Sequence, residues 1–218
     1  MTTSSRSRSS AVAAATLGDD DLSSNAQKER RKRILDATLA LASKGGYEAV
    51  QMRAVAERAD VAVGTLYRYF PSKVHLLVSA LAREFEKIDS RGKNPPGRNP
   101  LERMQLILSQ ITRAMQRDPL LAEAMTRAFM FADASAAAEV DQVGKLMDRL
   151  FARAMTDTEP TPDQLAIARV ISDVWLSNLV AWLTRRSSAT DVAKRLELTV
   201  ELLLGDGSRK PGHEVEFT

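Results

Sequence analysis

The amino-acid sequence predicts an all-α fold with a small N-terminal unit followed by a larger helical domain. Apolar residues recur at intervals of three and four along most of the 218-residue chain, as they do on one face of a helix. The alternating apolar and polar runs that are typical of half-buried strands are almost absent. A segment rich in glycine and proline, 91–98, is a clear break between two helical regions.

The same periodicity divides the chain into four parts. Residues 1–26 are rich in Ser, Thr and Ala, and we expect a disordered arm. Residues 27–73 form a compact N-terminal unit, residues 74–204 form the larger domain, and residues 205–218 form a polar, flexible tail. The expected helices are 27–44, 52–59, 63–70, 72–90, 100–117, 120–131, 136–155, 162–185 and 190–204.

The N-terminal unit has the pattern of a helix-turn-helix. Its second helix carries one apolar face, formed by Met52, Val55, Ala56 and Ala59. That helix stops at Asp60, a residue type that tolerates a left-handed backbone. A second short helix begins at Val63 and ends before Pro71. Two short helices joined by a tight turn have the geometry that places one helix in a major groove of DNA.

Charge is distributed unevenly between the two regions. Residues 28–73 hold ten Lys and Arg against five Asp and Glu, a net charge of +5. Residues 94–218 hold fifteen against seventeen, a net charge of −2. A basic N-terminal unit on a slightly acidic domain is expected of a nucleic-acid-binding protein.

Composition argues against an enzyme and against a metal or cofactor site. The chain has no cysteine and only two histidines, His75 and His213, and it has no glycine-rich phosphate loop. A carboxylate-only active site stays open. Charged residues interrupt the longest apolar stretches, so we expect no membrane span and a cytoplasmic protein.

The motif around the second short helix closely resembles the N-terminal domain of TetR-family repressors. The resemblance covers residues 28–78 and is most specific over 65–73, Thr-Leu-Tyr-Arg-Tyr-Phe-Pro-Ser-Lys. Three positions depart from the usual pattern, which has Thr or Ser at Gln51, Gly at Asp60 and Ser at Ala62. The first and last departures remove hydroxyls that commonly cap a helix or touch phosphate.

Residue type and this resemblance together give the expected DNA contacts, which are Arg53, Val63, Gly64, Thr65, Tyr67, Tyr69 and Lys73. An arginine fork at Arg53 suits a guanine edge, and this contact is favoured over the alternative of a plain surface residue. Lys73 combines a cation with free backbone N–H groups at the start of a helix, which suits a phosphate. The alternative for the two tyrosines is core packing, for which Leu66 and Phe70 are better placed. His75 is expected to be an ordinary surface or half-buried histidine.

The larger domain carries apolar and methionine-rich stripes that could form either core or a ligand pocket. From residue type alone core is the commoner outcome, and resemblance to a ligand-responsive family favours a pocket. The expected pocket residues are Met104, Leu108, Met115, Met125, Phe129, Met147, Trp175, Asn178 and Trp182. Asn178 is either a hydrogen-bonded core amide or a group that orients a ligand.

The last two helices are expected to form a dimer interface, because the helix at 162–185 is apolar on two sides and must bury both. The expected interface residues are Leu176, Leu179, Leu183, Leu196 and Leu203.

The family resemblance implies a homodimeric repressor that binds a pseudo-palindromic operator and is released by a small apolar effector. Over its full length the chain resembles the sterol-catabolism regulators of this family, which implies a cholesterol-derived acyl-CoA. The phosphates of such a ligand would need cations, for which the candidates are Arg127, Arg185 and Arg186. Two alternatives are a constitutive DNA-binding protein and a regulator of another ligand class, such as drug efflux. Activation instead of repression also stays open.

Overall fold

The computed structural model of the protein describes residues 19–90 and 96–205, and within these every regular element is helical. In chain order the helices are α1 (Asp19–Ala49), α2 (Met52–Arg58), α3 (Val63–Tyr69), α4 (Lys73–Asp89), α5 (Pro100–Arg117), α6 (Pro119–Met130), α7 (Ala137–Met155), α8 (Pro162–Leu183) and α9 (Ala189–Leu204). A short 3-10 turn, Ala134–Ala136, precedes α7. The all-α prediction is confirmed.

Helix α1 differs from the sequence expectation at both ends. It begins at Asp19, so residues 19–26 are helical where an arm was expected; residues 1–18 and the tail from 206 lie outside the described range. Near its other end α1 breaks at Gly45 and Gly46, and Gly46 has φ 66° and ψ −160°. A residue with a side chain is strained at that positive φ. The break redirects residues 47–49 away from the axis of α1.

From α5 onward, four of the five α-helices begin at side chains that cap them, and α7 has no such cap. Asn99 accepts from the Glu102 N–H, and Asp118 accepts from the Leu121 N–H. Thr161 and Ser188 each form a reciprocal capping box at the starts of α8 and α9. Because Asp118 is the cap, α6 begins one residue earlier than expected, with a proline in its first turn.

Helix α4 lies at the centre of the molecule and joins its two regions. It packs against α1 on one side and against α6 and α7 on the other. Residues 75–82 are buried without interruption, so this half of α4 has no solvent-facing side. The remaining layer is formed by α5 and α9, with α8 packed between α7 and α9. The boundary expected near residue 73 is therefore crossed by one continuous apolar core.

Helix α8 is apolar overall, although Arg169 and Asp173 interrupt its sequence as expected. Among the described residues, Pro162–Leu183 is long and apolar enough to cross a membrane by length and composition alone. Only a third of its most apolar window is buried in the subunit. Much of an apolar helix is thus left on the surface, which raises the question of what covers it.

Candidate nucleic-acid interface and apolar groove

Helices α2 and α3 form the helix-turn-helix that the sequence predicts. Asp60 adopts φ 53° in the turn, as expected for the residue that ends the first of these helices. Leu66 and Phe70, four residues apart, are buried on the inner face of α3. This packing fixes which side of α3 faces outward.

The outward side of α3 carries the residues expected to contact DNA. Val63 is 37% exposed and Tyr67 is 48% exposed, while Thr65 and Tyr69 are half-buried. A Cβ added at Gly64 would meet no atom within 4 Å, so nothing in the subunit obstructs this end of the helix. The N-terminal half of α3 is therefore open to a partner from outside.

Neither short helix has a side-chain cap. Gln51 and Ala62 occupy the N-cap positions of α2 and α3, and neither makes a capping hydrogen bond. These are two of the three positions that depart from the family pattern. Within the part of the chain that the structure describes, the first backbone N–H groups of both helices have no side-chain acceptor at the N-cap.

Basic residues from α1 flank this unit. The Arg31 guanidinium lies 5.5 Å from the centroid of the Phe70 ring, and an Arg33 nitrogen lies 3.8 Å from an Asp60 carboxylate oxygen. Arg53, at the start of α2, is exposed. The surface around α3 therefore presents several cations, which suits a phosphate backbone.

Lys73 lies at the first position of α4 beside residues that follow the break in α1. Its Nζ is 3.9 Å from the centroid of the Tyr47 ring and 3.6 Å from Glu48 Oε2. Arg127 on α6 contacts the same two residues and also pairs with Glu123. Arg127 therefore lies at the junction of the two regions, away from the groove that is described next.

A groove of about 530 Å³ opens between α4, α5 and α6. Its apolar walls include Leu81, Phe85, Ile111, Met115 and Met125. Its charged lining residues are Lys87, Arg113 and Arg117 with Glu84 and Asp118; Lys87 pairs with Glu84, and the two arginines are exposed. An apolar interior with a cationic edge suits an amphiphilic anion.

A small internal void of about 20 Å³ continues from the groove toward α8. Leu81, Phe85 and Met115 line both spaces, and the void is also lined by Phe129, Met147 and Trp175. The Phe85 and Trp175 rings meet edge to face with centroids 6.4 Å apart. Trp175 Nε1 donates to Thr112 Oγ1 at 3.1 Å, so its orientation is fixed. The groove and void together bring five of the nine expected pocket residues to one region.

The other four expected pocket residues lie elsewhere. Met104 is fully buried in the core, and Leu108 faces a separate cleft between α5 and α9. Trp182 borders a second void of about 10 Å³. Asn178 Nδ2 donates to the Val174 carbonyl, while its buried Oδ1 accepts from no group among the described residues. Arg113, Arg117 and Phe85 were missed by sequence reasoning, and no local pattern distinguishes them from other surface arginines or core aromatics.

Two comparisons with family models decide what kind of protein this is. Residues 34–80 match the bacterial regulatory proteins of the tetR family, and residues 97–203 match a tetracyclin repressor-like C-terminal domain. The chain belongs to the TetR family. It is a DNA-binding transcriptional repressor with an N-terminal helix-turn-helix and a C-terminal regulatory domain.

Named repressors in actinobacteria are similar to this TetR-family chain over nearly its whole length. It is 96% identical over 211 residues to the HTH-type transcriptional repressor KstR of Rhodococcus jostii strain RHA1, covering 97% of this chain and 100% of that protein. It is 73% identical to the KstR of Mycolicibacterium smegmatis, covering 88% and 95% of the two chains.

Solved structures share the fold of this TetR-family chain. A TetR regulator from Rhodococcus sp. RHA1 superimposes with a TM-score of 0.76 at 32% identity, covering 84% of this chain and 99% of that one. FadR of Bacillus subtilis, solved with stearoyl-CoA, superimposes with a TM-score of 0.54 at 18% identity, covering 80% and 98%. The second likeness is one of fold alone.

In the structure of this TetR-family chain, the residues expected at a dimer interface differ in their exposure. Leu179 and Leu196 are buried in their own subunit, so they have almost no surface left for a partner. Leu176 and Leu183 are half-buried, and Leu203 is exposed. Outward apolar side chains that were not anticipated are Leu165, Val170, Leu198 and Leu202. Their exposure depends on how α8 and α9 pack, which local periodicity does not specify.

His75 is not the surface or half-buried residue that the sequence suggested. It is 6% exposed, its Nε2 donates to the Ser135 carbonyl at 3.0 Å, and its Nδ1 is hydrogen-bonded to Ser72 Oγ at 3.0 Å. Ser72 is also the cap of α4. The ring therefore ties the start of α4 to the 3-10 turn before α7.

Proposed function

We propose that this repressor is a homodimer that reads a pseudo-palindromic operator with paired α3 helices and is released by a bulky acyl-CoA derived from cholesterol. The observation that carries the effector part is the apolar groove with a cationic edge between α4, α5 and α6. Similarity to KstR supports sterol-catabolism genes as the target, because sterol regulation is what the resemblance to those repressors implies. DNA binding of this kind takes place in the cytoplasm.

The assignment of DNA contacts rests on exposure and charge. Val63, Gly64 and Thr65 begin an outward-facing helix, where their small side chains permit close approach to base edges. Tyr67 and Tyr69 carry hydroxyls on rigid rings, which suits phosphate or base-edge hydrogen bonds. Arg53 at the start of α2 is exposed and carries the fork that matches a guanine edge.

A binding experiment tests this assignment. Duplexes selected from a random pool by the wild-type protein are titrated with Arg53→Ala and with Arg58→Ala, an exposed arginine six residues from the start of α2. We expect Arg53→Ala to lose about 1–3 kcal/mol of discrimination at one base pair in each half-site. We expect Arg58→Ala to leave sequence preference unchanged. Wild-type preference in Arg53→Ala would remove the residue from the interface.

The effector proposal follows from the chemistry of the groove and the void behind it. A rigid hydrocarbon gains affinity from apolar area, and the groove offers Leu81, Ile111 and Met125 for this purpose. Thioester-linked CoA carries phosphates that stay outside the apolar space, within reach of Arg113 and Arg117. These two arginines replace Arg127, Arg185 and Arg186 as the proposed phosphate contacts. FadR of Bacillus subtilis, solved with stearoyl-CoA, supports the fold's capacity to hold an acyl-CoA.

Release of DNA is a shift between two states of the dimer. A ligand larger than the groove must displace Phe85 and Met115, which separate the groove from the void beside Trp175. Both side chains project from helices that pack on α6 or α7, so their displacement moves these helices relative to one another. The effector then favours the released state because it binds that state more tightly.

Tryptophan fluorescence and operator release test the effector proposal together. A cholesterol-derived acyl-CoA is expected to change Trp175 emission and to release DNA, because Phe85 contacts that ring. Acetyl-CoA, which has the charge without the apolar area, is expected to do neither at the same concentration. Equal release by both compounds would contradict the apolar groove. Release by a cationic drug instead would favour a regulator of efflux, and no release by any compound would favour a constitutive binder.

The cationic edge has its own matched control. Arg113→Gln combined with Arg117→Gln is expected to weaken the acyl-CoA about tenfold or more, since each charge-assisted phosphate contact is lost. Arg149→Gln removes an exposed cation from α7 outside the groove and is expected to leave effector affinity unchanged. If the double variant responds to the acyl-CoA like wild type, the phosphates bind elsewhere.

The dimer proposal rests on the apolar outer surface of α8 and α9. Val170 and Leu202 are 48% and 72% exposed, on two helices that pack against each other. Leu176 and Leu183, also on α8, are half-buried. A second copy of this surface would cover it in a four-helix interface, which accounts for the apolar character of α8 without a membrane.

Sedimentation tests the dimer. Leu202→Arg is expected to yield monomers or aggregates, because it places a charge on an exposed apolar position of the proposed interface. Met130→Arg, at a methionine of 48% exposure on α6, is the control that should stay dimeric. A Leu202→Arg protein that sediments as a dimer and binds DNA normally would remove this part of α9 from the interface.

A further inference from the structure

Four side chains form a cluster where the DNA-binding region meets the regulatory domain. Tyr47 and Glu48 lie just after the break at Gly46, Lys73 begins α4, and Arg127 projects from α6. We call these four residues the junction cluster. It draws on α1 and α4, which carry the cations that flank the helix-turn-helix, and on α6, which carries Met125 of the groove.

The two cations of the junction cluster share the same two partners. The Tyr47 ring centroid lies 3.9 Å from Lys73 Nζ and 4.3 Å from Arg127 Cζ. The Glu48 carboxylate lies 3.6 Å from Lys73 Nζ through one oxygen and 3.2 Å from Arg127 Nη1 through the other. The Tyr47 ring and the Glu48 carboxylate therefore each interact with both cations. Because the two cations repel one another, the presence of either one weakens the attraction of the ring and the carboxylate for the other.

We propose that Glu48 and Tyr47 compete with operator phosphate for Lys73, and that Arg127 decides the competition by occupying the same carboxylate and ring. A carboxylate binds an ammonium much as a phosphate oxygen does, so Glu48 acts as an internal substitute for DNA. While Arg127 is present, Glu48 is shared and Lys73 is released more readily. Arg127 is thus a positioning residue for Lys73, and this inference rests on the proposed phosphate contact of Lys73.

The position of Arg127 links this competition to the groove. Met125 lines the groove and Arg127 follows two residues later on the same helix, so the two side chains point to opposite sides of α6. A displacement of α6 by a ligand against Met125 carries Arg127 with it. If Arg127 withdraws, Glu48 is left to Lys73 alone and the affinity for phosphate falls.

Operator affinity in a double-mutant cycle tests the proposal, using a duplex selected from a random pool by the wild-type protein. Arg127→Gln is expected to weaken binding about threefold for each junction cluster, and about tenfold in a dimer with two clusters, as for a partly exposed ion pair. Glu48→Gln is expected to strengthen binding, because Lys73 loses its internal competitor. In a Lys73→Gln background, Arg127→Gln is expected to have no further effect.

Three controls separate this route from a general loss of charge or of folding. Arg149→Gln removes the same charge from an exposed site on α7 and should have less effect than Arg127→Gln. Arg127→Lys keeps a cation at the site and should restore most of the affinity. Melting temperatures establish that each variant is folded at the assay temperature. If Arg127→Gln is not folded, Glu48→Gln supplies an independent test of the proposal.

The outcomes distinguish this inference from the proposed function. Equal losses for Arg127→Gln with and without Lys73 would overturn the competition, since Arg127 would then act on DNA directly. Unchanged affinity in Glu48→Gln would overturn it as well. If Lys73→Gln alone keeps both the affinity and the salt dependence of the wild type, the phosphate contact of Lys73 itself is wrong.

Discussion

The helices that face DNA and the helices of the regulatory domain begin in contrasting ways. Helices α2 and α3 have seven residues each and no side-chain cap. Helices α5, α6, α8 and α9 are longer, and each begins with a side chain that accepts a hydrogen bond from the first turn. A cap of this kind stabilises a helix by about 1 kcal/mol.

This contrast indicates where each region obtains its stability. Helices as short as α2 and α3 are not stable alone in water, so they depend on packing. The buried residues available to them are few, mainly Val55, Ala56, Leu66 and Phe70. In the regulatory domain four of the five helices from α5 onward have side-chain caps, and most residues of the shared apolar core lie there. Although one apolar core joins the two regions, we expect a substitution in the DNA-reading helices to destabilise those helices more than the rest.

The largest effect is expected from Phe70→Ala. Phe70 is 2% exposed, and truncating a buried Phe to Ala costs about 3–5 kcal/mol. We expect loss of operator binding and of protection from hydrogen exchange in α3. Both tryptophans, Trp175 and Trp182, lie on α8, so their fluorescence reports the unfolding of the regulatory domain.

In Phe70→Ala, the unfolding free energy measured by tryptophan fluorescence is expected to fall far less than the opening free energy measured by hydrogen exchange in α3. Equal shifts by both measurements would mean that the two regions unfold as a single unit. In that case the contrast in capping would have no consequence for cooperativity.

An intermediate effect is expected from removing a cap in the regulatory domain. Thr161 both accepts from the Gln164 N–H and lets Gln164 accept from its own N–H. Thr161→Ala should lower the free energy of unfolding by about 1 kcal/mol, measured by denaturant titration with tryptophan fluorescence. Thr158→Ala, in the loop before α8, is the matched control and should cost less.

The reverse change is expected to stabilise the DNA-reading region. Ala62 is the uncapped N-cap of α3, with extended backbone angles that suit a capping serine. Ala62→Ser should slow hydrogen exchange of α3 amides by an amount equivalent to about 0.5–1 kcal/mol. Unchanged exchange would show that the free N–H groups of α3 already have an acceptor, such as ordered water.

The smallest effect concerns two carboxylates with opposite pH dependence. Burial raises the pKa of Asp148 above its ordinary value of 3.8, while a hydrogen bond from Ser188 lowers the pKa of Asp191. The contribution of Asp148 to stability is present below pH 3.8 and is lost as pH rises through its raised pKa. That of Asp191 is present at neutral pH and is lost as pH falls through its lowered pKa.

Asn substitutions at these two positions should therefore differ in sign. At pH 7 Asp148→Asn is expected to raise the free energy of unfolding slightly, and Asp191→Asn is expected to lower it. Both differences should shrink as the denaturant titrations are repeated at lower pH. The same sign for both variants at pH 7 would contradict the assigned causes.

The sequence predicted what depends on local chemistry. Apolar periodicity and helix-breaking residues predicted most helix ends within two residues of their observed positions. The left-handed backbone of Asp60 agrees with its residue type. The division of α3 into a buried Leu66 and Phe70 and an exposed Tyr67 follows from helical spacing. The family motif supplied the DNA-reading role of this unit.

What the sequence could not predict depends on contacts between distant segments. Arg127 was considered as an effector contact, but its partner Glu48 lies on a segment that the Gly46 break redirects. Leu179 lies three and four residues from Leu176 and Leu183 on α8. Those two leucines stay half-buried, whereas the packing of neighbouring helices buries Leu179. His75 carries no local signal of its bond to the Ser135 carbonyl, 60 residues away.

Helix α1 acts as a lever arm between α6 and the DNA-reading helices. Its C-terminal end rests on α6, since a Cβ at Gly46 would lie 3.5 Å from Glu123 and 3.7 Å from Leu120. Its basic residues beside α3 lie about 20 Å further along the axis, at 1.5 Å per residue. A tilt of roughly 5° at α6 therefore swings each DNA-reading unit by about 2 Å at the far end of this arm. In a two-fold dimer the two swings add, giving about a tenth of the ~34 Å spacing between successive major grooves.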